Sequence, residues 1–202
     1  MDNAINDTAQ GAAAVSAVST GSVALAHLLI GLVLLSLFVA AEAWHALSPL
    51  PLAVVLSVTT GLVAGAIVTT LVHEWFHFAG ASATKARCHR VKRINLFAFE
   101  WDFKCNGRGQ FLVMSYAGTL GSLVAIALLV LAFGTDTPGR VALLAAAFGS
   151  LGFAGAIEWP VLARVHAGGD PLAELSKITR KVVLLSASTG LLTGLIAAWL
   201  LA

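Results

Sequence analysis

A chain of 202 residues that is 58% hydrophobic and only 11% charged, with a formal net charge of +2, is too apolar for an ordinary soluble domain. Its apolar residues fall in blocks of membrane-spanning length, so an integral membrane protein is expected. Membrane topology accounts for the small basic excess, which requires no nucleic-acid partner.

Residues 1–21, MDNAINDTAQGAAAVSAVSTG, hold two Asp and no Lys or Arg. The basic start of a cleaved signal peptide is missing, and the segment reads as a flexible tail. From 22 to 202 the expectation is a single polytopic domain of an all-α membrane protein, with spans at about 22–43, 52–80, 111–133, 140–163 and 180–201. Each is long enough for a hydrocarbon core of roughly 30 Å at about 1.5 Å per residue. Glu42 and His45, at the end of the first span, are expected at the interface beside Trp44 in an aromatic belt.

The second span closes on HEWFH, residues 73–77, and leads into the longest polar loop, 81–110. In that loop NLFAFEWDFK alternates, with Phe97, Phe99, Trp101 and Phe103 on one side and Glu100, Asp102 and Lys104 on the other, the period of a strand with one apolar face. CHRVKRI before it supplies a partner strand and Asn106-Gly107 a turn, so a small β-hairpin or strand is expected between the second and third helices. The segment either packs on its own aromatics or offers an open edge to an extended substrate. Cys88 and Cys105 share this loop and are expected to be free thiols.

The third span opens RGQFLVMSYAGTLGSL, with Ser115, Thr119 and Ser122 on one face and Gly118 and Gly121 permitting close helix approach; packing against the HEWFH helix is expected. The fourth ends AIEWPVLARVHAGGDPLAEL, where Gly168-Gly169 and Pro171 interrupt the helix. Lys85, Arg87, Arg90, Lys92, Arg93, Lys104 and Arg108 follow the second span, and Arg164, Lys177, Arg180 and Lys181 follow the fourth. The positive-inside rule makes both loops cytoplasmic, with the N-terminus inside and the C-terminus outside, and a bacterial inner membrane is the expected location.

Three ionisable groups in an apolar span demand compensation, since each costs several kcal/mol in hydrocarbon. Four residues apart on a helix, His73 and His77 present two imidazoles on one face, spaced for one zinc ion. Glu74 beside them is placed to take a proton from water and return it to a leaving amine. This is the H-E-x-x-H pattern of zinc peptidases. The competing reading is a set of polar side chains that merely hydrogen-bond to neighbouring helices. Haem ligation fits poorly, because two histidines on one face cannot clasp opposite sides of an iron. A catalytic zinc needs a third protein ligand, and at matching depth the end of the fourth span offers Glu158, His166 and Asp170.

HEWFH on one helix, SYAGTLGSL on the next and Gly-Gly-Asp after the following one resemble the site-2 protease family of intramembrane zinc metalloproteases over roughly residues 70–171. The resemblance implies His73, His77 and Asp170 as zinc ligands and Glu74 as catalytic base and acid. Ala117-Gly118 matches the family's Ala-Gly, while Thr119 stands where its Pro is and Ser122 where its Asn is. Gly-Gly-Asp-Pro replaces its Asp-Gly, and Glu158-Trp159-Pro160 lies where the family has an Asn and a Pro closer to the Asp. The activity implied is zinc-dependent hydrolysis of a peptide bond in a membrane protein near its cytoplasmic side. The alternative is a non-catalytic scaffold or pseudoprotease that keeps a structural metal. A transporter fits less well, because the embedded charges sit at one depth rather than along a path.

Overall fold

The computed structural model describes residues 17–202, so most of the expected tail lies outside the described residues. The helices are α1 (Thr20–Leu47), α2 (Pro51–Ala83), α3 (Arg108–Phe133), α4 (Pro138–His166), the short α5 (Pro171–Leu175) and α6 (Arg180–Leu201). All except α5 are long and apolar enough to cross a membrane, and the chain is an all-α membrane protein. Each span outruns or equals its expected bounds because local chemistry extends the ends. Ser19 and Thr137 accept hydrogen bonds from Ser22 and Arg140 N–H, and Pro51 and Pro138 open their helices where no N–H is needed.

Helix α2 is the hub, packed against α1, α3 and α4, while α6 packs on α4. Lipid offers no hydrophobic drive for helices to associate, so close backbone approach does the work. Gly65 shows how: a Cβ there would run into the backbone of Leu143, so only glycine lets α2 and α4 meet at this point. Two apolar clusters result. One holds Phe38, Ala64, Ile126, Leu129, Leu143, Leu144 and Ala147, and the other holds Ala81, Phe111, Met114, Val161 and Val165. HEWFH lies between them.

At the end away from the basic loops, Glu42 stays level with the helix ends, beside Thr137, the N-cap of α4. Its carboxylate turns inward and accepts from Ser57, from Thr137 Oγ1 at 2.7 Å and from Arg140 Nε at 3.1 Å, clasping α1, α2 and α4. A carboxylate in a span is tolerable here because each oxygen has a donor.

The loop after α2 holds a minimal antiparallel sheet, β1 (Cys88–His89) with β2 (Glu100–Trp101), paired Cys88 to Trp101 and His89 to Glu100. The expected alternation survives in part. Phe99, Trp101 and Phe103 pack against the second cluster, but Phe97 is 58% exposed because the chain bends before β2 begins. Asn106 ties the ends of the loop together, accepting from Arg87 N–H and donating to Arg87 C=O, both at 2.7 Å. Cys88 and Cys105 are free thiols, and burial pushes the Cys88 thiol up from its ordinary pKa.

Where α4 gives way to α5, buried Glu174 accepts from Lys177 Nζ and Arg164 Nε, each at 2.6 Å. The Lys177 ammonium, and then the Arg164 guanidinium, hold its carboxyl below the usual range. Because the folded pKa is depressed, this contribution is complete above the unfolded glutamate value of about 4.3 and is lost as pH falls through the lower folded value. The protection factors of amides in residues 168–176, taken relative to the intrinsic exchange rate at each pH, are therefore expected to hold steady down to about pH 4.3 and to fall only in stronger acid. Protection already falling near about pH 6 would contradict this.

Candidate metal centre

The α-helical repeat of HEWFH puts His73 and His77 on one face of α2, with ring centroids 4.4 Å apart. Both are buried, at 4% and 9% exposure. Ligand atoms of His73, Glu74 and His77 lie within 4.8 Å of one another, a group able to hold a metal ion. Helix α3 runs antiparallel to α2, so a four-residue step on one is matched by a four-residue step back on the other. Ser122 Oγ meets His73 Nδ1 at 2.9 Å, and the ring of His77 lies over Gly118.

The third participant comes from α4. Glu158 Oε1 is 2.9 Å from His73 Nε2 and 3.3 Å from His77 Nε2. The Nδ1–H of His77 donates to the Met114 carbonyl at 2.8 Å, and since a carbonyl can only accept, Nδ1 carries the proton. In neutral His77 the Nε2 lone pair then faces a carboxylate oxygen, acceptor against acceptor. Such a contact requires a proton or a cation between the two atoms. Glu158 Oε2 is buried without a hydrogen-bond partner among the described residues, and a buried carboxylate oxygen likewise calls for a donor or a cation. The donor set of two imidazoles and one carboxylate suits zinc and leaves a fourth position open. Ser122 and Met114 supply the outer hydrogen bonds that fix ring orientation in metal sites.

The structure places the other two candidates elsewhere. Asp170, the ligand implied by the family resemblance, is exposed and caps α5, accepting from Ala173 N–H at 2.8 Å. The structure does not bring it to the histidines: α4 continues to His166 and the chain turns at Gly168, φ +112°, before Asp170 is reached. His166 is exposed as well. Glu158 alone of the three joins the histidines. The roles of Gly118 and Met114 were not foreseen. The Gly118 signal lay in its spacing from Ser122, whereas a backbone carbonyl leaves no trace in sequence.

A cavity of about 170 Å³ opens beside the centre, lined by His77, Glu158, Phe111, Met114, Trp101 and Phe103 among others. Trp101 and Phe103 also line a larger cleft of about 490 Å³ on the side of the basic loops, together with Arg108 and Asp170. The two aromatics thus stand between the outer cleft and the buried centre.

Gly118→Ala tests this packing. An added Cβ would enter the space of the His77 ring, so a loss of about 1–3 kcal/mol and weaker metal retention are expected, read as a lower Tm in detergent and a lower zinc content. Unchanged values of both would contradict the placement of His77. No family model, curated protein or solved structure matches the chain.

Proposed function

We propose that the protein is an intramembrane zinc metalloendopeptidase that hydrolyses a peptide bond of a membrane-protein segment close to the side bearing the basic loops. That side is cytoplasmic by the positive-inside rule, in a bacterial inner membrane. One observation carries the proposal: both Nε2 atoms converge on a single Glu158 oxygen, while ligand atoms of Glu74 and the two histidines lie within 4.8 Å of one another. His73, His77 and Glu158 would hold the ion, with Asp170 left to its capping role. Bound zinc supplies Lewis acidity toward a peptide carbonyl and toward water.

The chain's own residues supply the rest. Glu74 takes a proton from the attacking water and passes it to the leaving amine. Ser122 and the Met114 carbonyl keep the imidazoles aimed. Trp101, Phe103 and Phe111 limit water around the reacting bond. A substrate helix must unwind at the site, because helical hydrogen bonds otherwise occupy its peptide groups. The test is cleavage of a reporter membrane helix in proteoliposomes. Cleavage abolished by a chelator and restored by zinc is expected, and a zinc-loaded chain that cuts no reporter overturns the proposal.

A second reading has one observation in its favour: all four imidazole nitrogens of His73 and His77 have partners within the protein. The cluster can therefore serve as a structural clip joining α2, α3 and α4, and the chain as a non-catalytic scaffold.

A further inference from the structure

His27 is buried at 4% exposure, yet takes no part in the metal centre. The indole N–H of Trp75 donates to its Nδ1 at 3.1 Å, so that nitrogen carries a lone pair, and the proton on Nε2 goes to the Asn95 carbonyl at 2.6 Å. His27 lies seven residues into α1 and Trp75 eight residues before the end of α2, depths of about 10 and 12 Å along the helices. The loop after α2 therefore does not stay above the bundle; it folds back beside α1. The ring of Phe99 packs at a tilt against Phe78, centroids 5.7 Å apart and five residues before the end of α2, which fixes a second point below the helix ends.

Backbone at such a depth needs internal partners. Val91 C=O accepts from Val18 N–H at 2.9 Å, Asn95 C=O is held by His27, and Phe97 N–H donates to Asn95 Oδ1 at 2.8 Å. Val91 and Ala98 are buried against the protein, while Ile94, Leu96 and Phe97 are 49%, 46% and 58% exposed beside Asn95, the residue whose carbonyl His27 holds. Arg90, Lys92 and Arg93 immediately precede this apolar tip, are exposed, and form no ion pair among the described residues.

We infer that residues 90–97 form a membrane-dipping loop that binds acidic phospholipid. Ile94, Leu96 and Phe97 enter the acyl region, and Arg90, Lys92 and Arg93 bind the phosphate groups of anionic lipids in the leaflet facing the basic loops. Apolar insertion beside a basic cluster gives two signals for lipid contact, and the charge makes it selective for acidic headgroups. His27 is the bolt that holds the loop at this depth.

The test places an NBD fluorophore at Phe97→Cys, in a Cys88→Ser/Cys105→Ser background, in nanodiscs. Blue-shifted emission and quenching by nitroxides on the upper acyl chain are expected, with spin-labelled phosphatidylglycerol quenching about fivefold more effectively than spin-labelled phosphatidylcholine. Arg90→Gln/Lys92→Gln/Arg93→Gln should keep the quenching and lose the preference. Water-like emission without quenching overturns the inference, and so does equal quenching by the two lipids. Free of any label, the unsubstituted chain purified from a mixed bilayer should retain more phosphatidylglycerol than the triple glutamine variant; equal retention also overturns it.

Discussion

Glu158→Ala is expected to lower zinc affinity by more than about 100-fold, beyond the usual cost of losing an outer hydrogen bond to a ligand. It removes the one oxygen on which both imidazoles converge and leaves only two protein ligands in a site that needs three. Asp170→Ala should leave affinity unchanged, because that carboxylate caps α5 and does not approach the histidines. Competition with a chromophoric chelator on the purified chain measures both variants. The paired outcome matters more than either alone: weak binding by the Asp170 variant together with full binding by the Glu158 variant would restore the family-like ligand set and refute the α4 assignment.

Glu74→Gln acts on cleavage rather than on zinc affinity. The amide fits the same space and cannot act as a base, so zinc should remain bound while cleavage of a reporter helix drops by about 10²–10⁴-fold. Loss of zinc in this variant would instead make Glu74 a ligand, which its closeness to both histidines allows geometrically. Retention of zinc by the parent and the variant, with no cleavage by either, favours the structural clip.

Both experiments turn on a polar cluster set between two apolar ones, and this setting explains why the cluster carries so much weight. Helices in lipid gain little from apolar burial, so polar contacts and close backbone packing decide their register. The His73–Ser122 bond, the His77–Gly118 contact and the Glu158 bridge all lie in the layer where α2, α3 and α4 meet. A metal in that layer would hold the same three helices together whether or not the protein cuts a substrate.

The five spans were legible because membrane-spanning helices are written locally, as unbroken apolar runs closed by caps and charges. HEWFH was legible for the same reason: a four-residue step fixes a shared helix face before any tertiary contact exists. The partner of that face was not. Glu158 and Asp170 are twelve residues apart, and choosing between them depends on where α4 ends and how deeply it packs against α2, both long-range outcomes of close approaches such as Gly65 on Leu143. The loop behaved likewise. Its alternation foretold aromatic packing at Phe99, Trp101 and Phe103, but only the folded chain showed the descent beside α1, because the bond from His27 to Asn95 spans 68 residues. Local periodicity thus determined the elements and the motif, while the meeting of distant helices decided which carboxylate reaches the two histidines and where the loop packs against α1.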